Sequence, residues 1–289
     1  MPATAENLTA LSSHVFYRFT AMVGSTFDDA SKTRETDRIM EFVKASMRAR
    51  TCCPVVELRQ YTLVPNGRET LIALFEREFI ETQEATGMTV LGQFRDLNNP
   101  DRFVWLRGFS DMERRAAQLQ EFYGGPAWKA HRDAANATMI DSDNVLLLRP
   151  ASPTSGFHMQ HAIRVPVGST AKRADLWVAT IYHLGKTKGA DFAAFFERAL
   201  KPAFVKTGVS ELALFVTETH PNTFARLPVR EDANVFVWFS RVPDREAYEK
   251  AAAAVTESMR QSGLETKLAE CPTEQPEVLL LSSTPRSLL

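Results

Sequence analysis

From residue 54 onward, apolar and polar positions alternate, switch to a helical spacing and switch back. In VVELRQYTL (55–63), Glu57, Arg59 and Tyr61 fall on one side and Val56, Leu58 and Gln60 on the other. That period of two predicts a strand. PNG breaks the run. In RETLIALFEREFIETQEATG, Leu71, Leu74, Phe75 and Ile80 make an apolar stripe at helical spacing, and Gly87 stands where a C-terminal cap belongs. MTVLGQFRD and RFVWLRGF predict two strands joined through LNNPD as a hairpin. Ser110 or Asp111 can cap a helix over MERRAAQLQEFYGG. Gly124, Gly125 and Pro126 interrupt it, AWKAHRDAANATM continues as a second helix, and NVLLLRP predicts a closing strand. The order is β-α-β-β-α-β, the split βαβ or ferredoxin-like arrangement.

The pattern then recurs. Shifted by 121 positions, Tyr61 falls on Tyr182, Phe75-Glu76-Arg77 on Phe196-Glu197-Arg198, and Phe94 on Phe215. Shifted by 133, Phe103-Val104-Trp105 falls on Phe236-Val237-Trp238 and Val145-Leu146-Leu147-Leu148 on Val278-Leu279-Leu280-Leu281. The offset changes once, by 12, which one insertion explains. The expected organisation is an extension (1–53), a first unit (54–151), a linker (152–174) and a diverged second unit (175–289). Each unit's antiparallel sheet carries helices on one face and needs a cover on the other. The fold class expected is therefore α+β, with two tandem ferredoxin-like units whose sheets face each other as an α-β barrel, within the chain or between chains. Within the linker, HMQHAIRV predicts a short extra strand, and RETDRIMEFVKASMRAR (34–50) an amphipathic helix through Ile39, Phe42, Val43 and Met47. The 12 extra residues enlarge HPNTFARLPVREDA (220–233), a lid or a docking loop.

Composition narrows the function classes. A net charge of −1, from 34 basic and 35 acidic residues, argues against a nucleic-acid or anionic-membrane surface. No apolar stretch approaches membrane-spanning length, and the N-terminus has neither a secretory nor a transit pattern. Cys52, Cys53 and Cys271 make a poor disulfide framework, so reduced thiols in a cytoplasmic protein are expected.

VVELRQYTL, LFEREF, GQFRDLNNPDRFVWLRGFSD and FYGGPAWKAHRDAANATMIDSDNVLLLRP together resemble the NIPSNAP family, within the dimeric α-β barrel superfamily. The resemblance is close over 55–150 and extends in outline to the second unit. It implies the barrel fold and an oligomeric, cytoplasmic protein. The superfamily spans cofactor-independent monooxygenases, haem enzymes, isomerases and stress proteins, and NIPSNAP proteins themselves resemble binding or adaptor proteins.

The two units differ in their polar residues. Glu57, Arg59 and Arg107 fall on Val178, Thr180 and Ser240. Trp128, His131, Arg132 and Asn136 fall on Gln261, Leu264, Glu265 and Ala269. Trp128, Arg132 and Asn136 lie at i, i+4 and i+8 with His131 beside them, so they share a helix face. Meeting the Glu57-Arg59-Tyr61 strand face, that stripe would form a pocket for a small anionic or aromatic ligand. His131, Arg132 and Tyr61 are the candidate catalytic residues; Arg59, Trp105, Arg107, Trp128 and Asn136 are the candidate ligand contacts. The reaction would be a cofactor-free oxidation or isomerisation. The competing reading is a scaffold or adaptor that works through protein contacts. No nucleotide, serine-hydrolase or zinc motif is present, so no cofactor or metal is expected. Haem stays open, because His183 follows Tyr182 in the second unit's first strand.

Overall fold

Eight strands form one closed antiparallel barrel in the order β1-β3-β2-β8-β5-β7-β6-β4. In the first half these are β1 (Val55–Leu63), β2 (Thr89–Asp96), β3 (Arg102–Phe109) and β4 (Met139–Pro150). In the second half they are β5 (Leu176–His183), β6 (Ser210–Thr217), β7 (Val235–Val242) and β8 (Glu277–Ser283). The computed structural model describes residues 52–159, 162–171, 173, 176–206, 209–270 and 274–289. The helix expected at 34–50, His161 and Cys271 lie outside the described residues.

Each half pairs its strands in the same way. β1 lies between β4 and β3, with β2 beyond; β5 lies between β8 and β7, with β6 beyond. Glu57 stands opposite Arg107 and Arg59 opposite Trp105. Val178 stands opposite Ser240 and Thr180 opposite Trp238. The halves close on each other through β2–β8 and β4–β6, so closure takes place within one chain.

Alternation decides what each face buries. Val56, Leu58 and Leu106 from one half meet Ile181, Val237 and Leu281 from the other in a continuous apolar barrel interior. The opposite faces receive the helices. In the first half these are α1 (Arg68–Leu74), a π turn (Phe75–Phe79), α2 (Ile80–Glu84), α3 (Met112–Gly124) and α4 (Pro126–Asn136). The second half repeats the scheme with α5 (Gly189–Phe195), a π turn (Phe196–Leu200), α6 (Lys201–Lys206), α7 (Arg245–Gln261) and α8 (Leu264–Ala269). Asp111 caps α3 by accepting from the Arg114 amide at 2.6 Å, and Asp244 caps α7 by accepting from Ala247 at 2.8 Å.

Four expectations are corrected. The single helix expected over 68–87 contains the Phe75–Phe79 π turn, whose wider winding sends Phe75, Phe79 and Ile80 all toward the sheet. The helix expected to run to Met139 ends at Asn136, and β4 begins at Met139, since Thr62 and Leu63 of β1 pair with that segment across a register shift. The linker's HMQHAIRV segment forms no strand among its described residues. Side chains anchor the linker instead. Phe157 is buried in the barrel interior against Trp177, Phe215 and Phe239, and Arg164 bonds Glu84 and the Val90 carbonyl. Finally, Cys52 and Cys53, expected as free thiols, are joined as a disulfide; adjacency alone holds their Cα atoms 3.8 Å apart.

Candidate functional site

Glu57 is the centre of a fully buried charge cluster between the first-half sheet and its helices. Its Oε2 accepts from Arg59 at 2.7 Å and from Arg107 at 2.8 Å, and its Oε1 from Arg115 at 2.7 Å. Cross-strand pairing of Glu57 with Arg107 makes the second contact, and the two-residue period places Arg59 beside both. Arg115 comes from α3, four residues after its cap, in line with Leu119 and Phe122. All three arginines and Glu57 are at most 1% exposed. Burial works to raise the Glu57 carboxyl pKa, but Arg107, Arg59 and Arg115 outweigh it and hold the group well below the usual carboxylate range.

One carboxylate facing three guanidinium groups leaves donors over. Arg107 Nη1 reaches Gln83 Oε1 at 3.0 Å and the Tyr123 hydroxyl at 3.4 Å. Gln83 is oriented by its own amide, which donates to the Phe79 carbonyl of the π turn at 3.0 Å. Arg107 Nη2 and Arg115 Nη2 are buried with no hydrogen-bond partner among the described residues. The Trp105 indole N–H is unpartnered too; so is that of Trp238 opposite Thr180, so the indole alone is no signal of a ligand.

Beside the cluster lies a cavity of about 30 Å³ walled by Tyr61, Phe79, Trp105, Phe122, Tyr123 and Trp128, with Gln83 at its edge. Its volume is that of a water or two. Arg59 Nε donates to the Tyr61 hydroxyl at 3.0 Å, which leaves the phenol proton to point elsewhere. Burial raises the Tyr61 pKa, against the lowering effect of Arg59, so the phenol stays protonated.

The second half covers this site. The β6–β7 connection, 218–234, has 17 residues where the β2–β3 connection, 97–101, has five. Asn222 Oδ1 and Thr223 Oγ1 accept from Arg115 Nη1 at 3.0 and 3.3 Å. The Phe224 ring, 7% exposed, stacks on Tyr123 at 6.1 Å.

Of the residues expected from the sequence, Tyr61, Arg59, Trp105 and Arg107 come together. Trp128 is half-buried and joins them through Phe79 and Tyr123, at 5.5 and 4.8 Å between ring centroids. The stripe Trp128-Arg132-Asn136 does not face the sheet: Arg132 and Asn136 are exposed, and Arg132 Nε lies 3.3 Å from Asp133 Oδ1. The face of α4 turned toward the sheet runs instead through Trp128, His131 and Ala135, spaced i, i+3 and i+7; Ala135, 1% exposed, lets the helix approach closely. His131 sits at the rim with Nε2 3.3 Å from Glu78 Oε2, separated from the cluster by Phe79. Gln83, Arg115 and Tyr123 were not anticipated, nor was the contact of the 220–233 loop with Arg115. Arg115 carried a signal, a charged residue in the apolar line of α3.

In the second half the space between sheet and helices is closed by the rings of Tyr182, Phe192, Phe196, Phe204 and Trp238. His183 Nδ1 lies 3.6 Å from Glu274, and His220 is bonded to Glu218. Among the described residues no group of three or more His, Cys, Asp or Glu side chains could hold a metal ion, and no helix is long and apolar enough to cross a membrane.

No curated protein matches the chain in sequence. Among solved structures, it is similar to a NIPSNAP-like domain protein from Burkholderia xenovorans at 25% identity, covering 39% of this chain and 91% of that one with a TM-score of 0.30. It is also similar to a protein from Lactobacillus acidophilus provisionally named a monooxygenase, at 12% identity, covering 81% and 97% with a TM-score of 0.47. A mutant chlorite dismutase from Candidatus Nitrospira defluvii in complex with cyanide is similar at 14% identity, covering 81% and 91% with a TM-score of 0.44. The NIPSNAP family model matches residues 56–154, the part of the barrel that carries the Glu57 cluster.

Proposed function

We propose that the first half of the barrel binds a small anionic or aromatic metabolite between its sheet and its helices, and turns it over by isomerisation or by cofactor-free oxidation with dioxygen as the oxidant. The supporting observation is the charge imbalance: three buried arginines share one glutamate, and Arg107 Nη2 and Arg115 Nη2 have no partner among the described residues. Burying guanidinium donors without partners is costly, and an anionic oxygen is the group that satisfies them. The surrounding rings suit a flat, apolar body.

In this reading Arg107 holds the ligand oxygen and stabilises charge as an enolate develops. Tyr61, neutral and fixed by Arg59 Nε, is the proton donor to the developing enolate. Trp128 and Phe224 must swing aside to admit any ligand larger than water. His131 and Arg132, on the outer side of Phe79 and on the solvent face, act at most on entry. The same reading treats the two halves as tandem ferredoxin-like repeats of which one kept the polar cluster.

Native mass spectrometry of protein purified from its own host tests the proposal. The wild type should carry a retained small molecule that Arg107→Met loses while the barrel stays folded by circular dichroism. An empty wild type, together with no thermal shift from a panel of aromatic carboxylates and 2-oxo acids, would refute it.

A further inference from the structure

A second site lies on the outside of the barrel, where β4 meets β6. A groove of about 650 Å³ runs there, within the size range of small-molecule sites. Its apolar floor includes Leu147, Val216 and Ala233, all under 9% exposed. Gly189 lets α5 close one wall, since a Cβ there would stand 3.0 Å from Val216 Cγ1. The other wall is the long β6–β7 connection, pinned where Arg230 N donates to the Val145 carbonyl at 2.9 Å. The shorter β2–β3 connection supplies no such wall at the β2–β8 seam.

Charge sets the chemistry. Arg149, Lys186, Lys188 and Arg230 line the groove, and none makes an ion pair or side-chain hydrogen bond with the described residues. The acids are largely committed. Glu218 is bonded to His220 at 2.6 Å, and Glu231 accepts from the Asn222 amide at 2.8 Å. Hydrogen bonds orient these two carboxylates without neutralising them, so with Asp232 the groove sets three carboxylates against four cations, an excess of one positive charge.

We propose that this groove binds an organic anion with an apolar body, its acidic head held by Lys186, Lys188 and Arg230 and its body laid on Leu147 and Val216. Head and floor are both needed: exposed cations alone hold an anion weakly in water, and an apolar strip adds affinity in proportion to the area it covers. The site is separate from the Glu57 cluster and does not depend on its function.

Isothermal titration calorimetry with naphthalene-2-carboxylate tests this, with inorganic phosphate and neutral 2-naphthylmethanol as comparison probes. The carboxylate should bind one per chain, with both comparison probes at least tenfold weaker. The triple variant Lys186→Gln/Lys188→Gln/Arg230→Gln, all surface positions, should lose at least tenfold. Hydrogen exchange should slow at 186–190 and 229–234 on binding. Absence of binding, equal binding of phosphate, an unaffected triple variant, or protection confined to 71–83 and 122–135 would each overturn the proposal.

Discussion

Replacing Glu57 by Gln keeps the shape of the cluster's centre and removes its only negative charge. Three arginines then remain buried around an amide, with ion pairs of 2.7, 2.8 and 2.7 Å lost together. Removing one partner of a buried ion pair costs about 3–5 kcal/mol, because the remaining charge stays desolvated. Three stranded cations put Glu57→Gln at the upper end, a large share of the roughly 5–15 kcal/mol by which a domain is stable. With a urea dependence of about 3 kcal/mol per molar for a chain of this size, the midpoint should fall by roughly 1.5 M. Equilibrium urea unfolding followed by tryptophan fluorescence measures it. The same cluster gives a pH signature. The folded-state pKa lies below the unfolded value near 4.5, so the stabilisation is complete above about pH 5.5 and is lost progressively as pH falls through the unfolded value toward the folded one. Glu57→Gln should flatten that acid limb. A midpoint shift under about 0.3 M, with an unchanged acid limb, would mean that the carboxylate does not hold the cluster together.

Two other positions test the packing around the site. Phe224→Ala should cost about 3 kcal/mol, and should speed amide exchange at 222–227 while leaving the barrel strands protected; unchanged exchange there would show that the ring does not fasten the loop. Gly108→Ala should cost about 1–3 kcal/mol from overpacking, since its Cβ would stand 2.3 Å from Cys53 Sγ. Adding Cys53→Gly, which removes the Sγ and also the Cβ at 2.5 Å, should recover part of that loss, and additive losses in the double variant would place the strain elsewhere.

The sequence by itself determined the order of the strands and helices within each half, and left open whether the halves close on each other within one chain. The period of two in VVELRQYTL and RFVWLRGF sets which side chains share a face; the β1–β3 and β5–β7 pairs keep that register throughout, while register shifts interrupt the β1–β4, β2–β3 and β6–β7 pairs. It also marked Arg59, Tyr61, Trp105 and Arg107 as a group, because residues on one strand face or opposite one another on paired strands are neighbours by construction. The face of α4 was less legible. Trp128, Arg132 and Asn136 share a stripe by spacing, but His131 and Ala135 share the adjacent one. Only the close approach permitted by Ala135 decides which of them meets the sheet. The π turn, the Phe157 plug and the place where the 220–233 loop lands were invisible for a related reason. Each depends on contacts between residues far apart in the chain, such as Arg115 with Glu57 and Asn222. Tertiary structure alone placed a third arginine on one carboxylate and laid the second half's β6–β7 connection over it, because local periodicity fixes the direction of a side chain but not what the rest of the chain brings to meet it.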